Sequence, residues 1–298
     1  MADTTSPAAT SSPKSQKSDT PPAADAAPIE VGDDNPADDD SALGTEASSS
    51  SASISSSILD YRTMHGRTYH SDRGTAQYCH HLLTIASEDK LHHAPIKKDI
   101  EESGPCSEIE DCTQPWTFHP DTFDYIHMRY LIGSVKDWNG LFEQAFRACK
   151  PGGWVESFEG APIMQSDDGS VPDDSAMAGW GKTFIEAGKR LERSFTVVDD
   201  NVQEEGMAAA GLVDIESRIF KIPIGRWPKD QNYRNIGLFA QEALEGDIEG
   251  HVVHVADLAW GWSKEQVMVY CAKLRKEIRS GKHHPYYRIK IVYGRKPE

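Results

Sequence analysis

His127, Met128 and Arg129 close an apolar and aromatic run that begins Phe123-Asp124-Tyr125-Ile126. An imidazole titrates near neutrality, so His127 is a candidate general base, and the alternative is a packed histidine at a strand end. Glu156 and Glu159 sit in a second run, Trp154 to Glu159, where they either face a pocket or alternate outward into solvent. The pairs His80-His81, His92-His93 and His283-His284 invite a metal reading. Adjacent residues point apart on a strand or helix, and no acidic or cysteine partner stands at ligand spacing, so these read as surface histidines and no metal site is expected. Cys79, Cys106, Cys112, Cys149 and Cys271 lack paired spacing and read as free thiols. Gly179-Trp180-Gly181 lies inside an amphipathic segment instead of between a strand and a helix, which is the wrong context for a cofactor loop.

The elements that must position these groups are legible from periodicity. Asp121 and Thr122 make a turn, and Phe123 to Met128 is a strand. Trp138, Leu141, Phe142, Ala145, Phe146 and Cys149 then recur on one face of an amphipathic helix. Lys150-Pro151-Gly152-Gly153 is expected to end that helix in a turn, and Trp154 to Glu159 is the next strand. Strand, helix, turn and strand make a βαβ unit of a parallel sheet, whose carboxyl end is where open α/β sheets place ligands. A second helix presents Met177, Trp180, Phe184, Gly188 and Leu191 inward, and a strand runs from Ile215 to Ile224. Ser263-Lys264-Glu265-Gln266 fits a capping box that starts a helix with Val267, Tyr270, Cys271, Leu274 and Ile278 inward. Tyr287, Ile289, Ile291 and Tyr293 alternate in a last strand, expected to close the sheet as an antiparallel hairpin partner.

Composition sets the outer bounds. The 298 residues carry a formal net charge of -16, and residues 1–57 hold ten acids against two lysines, a net of -8, with no aromatic residue. Such a Ser/Ala/Pro/Asp-rich stretch has too little apolar surface to offset ordering, so it reads as a disordered tail ahead of one folded domain over 58–298. No long Lys/Arg cluster offers a phosphate-binding surface, and no run of about 18 apolar residues occurs, so neither direct nucleic-acid contact nor a membrane span is expected. The expected location is cytoplasmic or nuclear.

Several segments together resemble the fungal LaeA-like methyltransferases, within the class I S-adenosylmethionine-dependent superfamily. They are Ile58-Leu59-Asp60-Tyr61-Arg62, Gly66-Arg67-Thr68-Tyr69-His70, Asp111-Cys112-Thr113-Gln114-Pro115-Trp116, Ile126-His127-Met128-Arg129, Lys150-Pro151-Gly152-Gly153-Trp154, Ser166-Asp167-Asp168-Gly169 and Tyr286-Tyr287-Arg288. The resemblance covers almost everything after residue 57. It implies a Rossmann-like α/β fold, a helical lid over 58–99 bearing Tyr61 and Tyr69, and a recognisable sheet over 108–298. It also implies S-adenosylmethionine as cofactor and a role in secondary-metabolite biosynthesis or its regulation, with a small-molecule metabolite as possible acceptor. By the same resemblance Asp111 follows a third strand (Ser107 to Glu110), contacts the adenine amine and has Cys112 beside it, while His127, Met128 and Arg129 border the cofactor and the transferred methyl. The plain alternative for Asp111 is a turn aspartate.

One departure stands out. The family pattern requires a strand, a Gly-x-Gly-x-Gly type loop, a helix and a second strand ending in an acid, and a βαβ unit takes about 30 residues or more. Only 11 residues run from Lys97 to Ser107. The expectation is a truncated fold with impaired cofactor binding and an accessory, non-catalytic role. The alternatives are an active enzyme whose sequence has lost a segment, or a sheet completed by a protein partner or a second copy.

Overall fold

A computed structural model of the protein describes residues 26–32, 62–64, 67–69 and 111–298. The expected third strand, the helix around His81 to Ala86, Tyr61 and the short 97–107 stretch lie outside these residues. So does most of the 1–57 tail, but 26–32 corrects the tail reading locally. There Val31 bridges Pro228, Gly32 N–H donates to the Trp227 carbonyl and Lys229 N–H donates to the Glu30 carbonyl. Within the stretch expected as a lid, β1 (Arg62–Met64) and β2 (Arg67–Tyr69) pair as an antiparallel hairpin.

The sheet that positions the candidate residues contains β3 (Phe123–Arg129), β4 (Cys149–Gly160), β5 (Val213–Pro223) and β6 (Tyr286–Arg295), in the order β3-β4-β6-β5. β3 and β4 are parallel, joined by α1 (Trp138–Ala148), and β6 runs antiparallel to both β4 and β5. The last strand therefore lies inside the sheet between β4 and β5, not at its closing edge. Its alternation explains this: Ile289, Ile291 and Tyr293 bury one face and Lys290 and Val292 the other, a two-sided burial that an edge strand does not need. Among the described residues β3 has β4 as its single sheet neighbour.

The Lys-Pro-Gly-Gly segment is not a free turn either. It is drawn into β4 as an irregular start, in which Cys149 pairs with Phe123 and regular pairing resumes at Tyr125 with Trp154. Gly152 takes φ +78 there, a conformation glycine adopts without strain, and donates its N–H to the Lys296 carbonyl, while Lys296 N–H donates to the Gly153 carbonyl.

Two apolar bodies flank this sheet. On one face α1 and α3 (Val202–Ala210) pack Leu141, Phe142, Ala145 and Met207 against Met128, Val155 and Val292. At the carboxyl ends of β3 and β4, α2 (Ala176–Leu191), α5 (Ile248–Trp260) and α6 (Lys264–Arg279) form a helical cap around Met177, Phe184, Val252, Cys271 and Leu274. α4 (Gln231–Gly246) leads into it from β5. The capping box at Ser263 and Gln266 forms as expected. A second cap was not legible: Glu277, on α6, accepts the N–H groups of Ala176 and Met177 at 3.0 Å each, so the first turn of α2 is held by a carboxylate a hundred residues away. Gly179 and Gly181 are interior to α2. Among the described residues no helix is long and apolar enough to cross a membrane.

Candidate functional site

His127 and Glu156 face each other in register on neighbouring parallel strands, and both side chains project from the sheet face opposite α1. Imidazole Nδ1 and carboxylate Oε1 are 2.9 Å apart, with the His127 side chain 35% exposed and that of Glu156 9% exposed. Glu156 is thus buried, not the solvent-facing residue that alternation allowed. With Nδ1–H donating to this carboxylate, the imidazole is held in the tautomer that leaves Nε2 as a proton acceptor. Tyr125 stacks along His127, ring centroids 6.2 Å apart and 21° between planes. Burial and then the neighbouring Glu156 carboxylate push the Tyr125 phenol well above its ordinary range, so it stays protonated. The arrangement can orient a base and hold a proton.

Further along the same face, Arg129 lies over the Phe158 ring at 4.6 Å and over Tyr130 at 5.1 Å. Its buried Nε makes no hydrogen bond. Tyr130, at φ 52, stacks edge-on to Phe158, and its hydroxyl bonds that of Tyr287. Burial, followed by the charge of Tyr130, raises the Tyr287 phenol. Periodicity places Tyr287 on the alternating face of the last strand but says nothing of Tyr130. Tyr287 also stands in the Tyr286-Tyr287-Arg288 string.

The other candidates point elsewhere. Met128, 6% exposed, is packed into the core beneath α1. Asp111 turns its carboxylate onto Thr113, accepting the backbone N–H at 3.0 Å and the hydroxyl at 2.7 Å, which is the aspartate-turn geometry of the plain reading. Cys112 packs against the α1 side, and burial, then Asp111, raises its thiol. Residues 112–116 are pinned to α1, with Trp116 N–H donating to Gln144 and Arg147 donating to the Trp116 carbonyl. Asp111, Cys112 and Met128 thus belong to the α1 side, and His127 and Arg129 to the opposite face. His283 and His284 bond the Ser170 carbonyl and Asp168 respectively, and no group of three metal-binding side chains occurs among the described residues.

Glu159 is fully buried and grips the turn that follows β3, accepting N–H from Leu131 at 3.0 Å and from Ile132 at 2.9 Å. Burial raises its carboxyl to about 8, against the two amides, which favour the anion. Because the folded value lies above the ordinary 4.5, the stability linked to this group is complete below about pH 4.5 and is lost as pH rises through about 8. Urea unfolding midpoints are therefore expected to fall between pH 5 and 8.5 in the native chain. Glu159→Gln is expected to flatten that slope, and an unchanged slope in the variant would assign the effect to other groups.

The methyltransferase domain family matches residues 69–169. Methyltransferase pytC of Aspergillus terreus is 28% identical over 305 aligned positions, covering 85% of this chain and 93% of its own length. laeA of Emericella nidulans, named a protein-methionine methyltransferase and a secondary metabolism regulator, is 25% identical over 63% of this chain, which spans 50% of laeA. Among solved structures, phosphoethanolamine N-methyltransferase 2 of Haemonchus contortus with S-adenosyl-L-methionine aligns at 21% identity and TM-score 0.32, over 61% of this chain and 35% of that one.

Proposed function

We propose, from the premise that this chain belongs to the fungal LaeA-like class I methyltransferases, that it acts in secondary metabolism as an accessory homologue that does not retain S-adenosylmethionine by itself. The observation that carries this reading is the dispersal of the five expected contact residues. Asp111 is engaged in its own turn, Met128 is core, and His127 and Arg129 stand on the other face of the sheet from Cys112. A cofactor held along its length needs backbone that approaches closely and groups that converge. These residues do not converge, and they do not fit the cofactor.

Chain length supports the same reading. The match to pytC runs over 305 positions, while 85% of a 298-residue chain supplies about 253 of them, which leaves about 52 positions of pytC without a counterpart here. A strand, loop, helix and strand take about 30 residues or more, so a complete cofactor-binding unit fits within that difference. By the resemblance, the lost strands would lie beside β3, where the described sheet has no second neighbour. A partner protein or a second copy would complete the sheet there.

A second reading rests on the His127 and Glu156 pair, which is built like an oriented base. It makes the family's methyl transfer recoverable once the sheet is completed. Equilibrium dialysis of the purified full chain against radiolabelled S-adenosylmethionine separates the two. No retention is expected at micromolar concentration, and stoichiometric retention by the chain alone would sink the first reading.

A further inference from the structure

Arg193 lies in the connection after α2 and is 8% exposed. Its backbone is fixed by the N–H donated to the Gly188 carbonyl at 3.0 Å. Its guanidinium has no carboxylate partner among the described residues, and its Nε is buried without a hydrogen-bond partner. A buried guanidinium without a carboxylate is costly, because desolvation of the charge is not offset. The other two buried cations among the described residues are paired: Lys290 meets Glu204 and Lys221 meets Asp167.

Arg193 lines a cavity of about 330 Å³, walled by Cys112, Thr113, Val135, Leu141 and Gln144 and closed by the amino end of α1 at Gly140. That volume lies at the small end of the range for small-molecule sites. Of the other charged groups in its wall, Lys136 is bonded to Glu192 and Asp137 is committed to capping α1, its Oδ1 accepting Gly140 N–H at 2.9 Å. The first turn of α1 contributes partial positive charge on the same side. Arg193 is the charge left over, and it presents a planar fork suited to two oxygens of one anion.

We propose that this cavity is a binding site for a small organic anion whose carboxylate or phosphate pairs with Arg193, with Val135 and Leu141 packing against its body. The site is separate from the His127 and Glu156 face and does not depend on cofactor retention. It gives the protein a metabolite-sensing site on the α1 side of the sheet.

The test is thermal unfolding of the full chain in anion-poor buffer, with inorganic phosphate and succinate as probes and chloride matching ionic strength. At least one probe is expected to raise the melting temperature by about 5 °C or more at a hundredfold excess over its dissociation constant. Arg193→Met is expected to melt higher than the native chain without anion and to lose the shift. Should that variant not fold, Arg193→Lys keeps the charge without the fork and is expected to bind at least tenfold more weakly. No shift with either probe overturns the proposal, as does an equal shift in the variants. A lower melting temperature of Arg193→Met in anion-poor buffer overturns it as well, since it means the guanidinium is paired in solution. S-adenosylhomocysteine is the control. A shift that only this compound produces, and that Arg193→Met abolishes, gives the cavity to the cofactor and overturns the proposal too.

Discussion

Gly133→Ala lowers the melting temperature by roughly 6 to 12 °C, corresponding to a loss of about 3 kcal/mol in a domain of this size. Gly133 has φ +71, where an alanine costs about 1 to 2 kcal/mol for its Cβ contact with the carbonyl. The same Cβ would stand 2.1 Å from the Phe195 ring. That ring has little room to move. It is 3% exposed and packed edge-on against Phe184, with centroids 5.4 Å apart. Overpacking of this kind costs about 1 to 3 kcal/mol more. Gly133 also donates its N–H to the Ser194 carbonyl at 3.0 Å, tying the turn gripped by Glu159 to the Arg193 connection. Differential scanning calorimetry of Gly133→Ala and of Gly133→Ala with Phe195→Leu separates the two contributions. The double variant recovers the steric part only, and a single variant that melts within 2 °C of the native chain would show that the turn is free to relax.

Lys290→Met destabilises the fold by about 3 to 5 kcal/mol, because it leaves a carboxylate without its counter-charge. The Lys290 side chain is 1% exposed and bonds Glu204 at 2.5 Å, Asn201 Oδ1 at 2.7 Å and the Val198 carbonyl at 3.3 Å. Beside it Gln203 donates to the Ser157 carbonyl at 3.0 Å, so this polar group is what fastens α3 to the centre of the sheet. Adding Glu204→Gln to Lys290→Met removes the uncompensated charge and is expected to recover more than half of the loss in urea unfolding. A double variant as unstable as the single one would mean that packing, and not charge, dominates at this position.

Much of the fold was legible for local reasons. The helix of Trp138 to Cys149, the capping box at Ser263 and the strand from Phe123 each follow from side-chain period or from one cap, which need no knowledge of distant residues. The hairpin of Arg62–Met64 and Arg67–Tyr69 was not legible, because these short strands obey neither period and only their pairing defines them. Residues 26–32 were misread because composition averages over a segment, whereas Ile29 N–H to Asp167 and Val31 to Pro228 are contacts between particular residues.

The sequence by itself determined the element types, the sheet-forming pattern and the resemblance to LaeA-like methyltransferases, because periodicity, caps and motif strings are local properties. The tertiary structure alone decided that β6 lies between β4 and β5, that Lys290 is buried, and that Glu156 and Glu159 face inward. It also decided that His127 and Met128 serve opposite faces of one strand. The reason is physical: burial and pairing depend on which segments meet across the sheet, and a lysine, a glutamate or an arginine looks the same in a string whether water or a carboxylate balances its charge. Arg193 is the sharpest instance, an unremarkable basic residue in sequence whose buried guanidinium acquires meaning only from the cavity beside it.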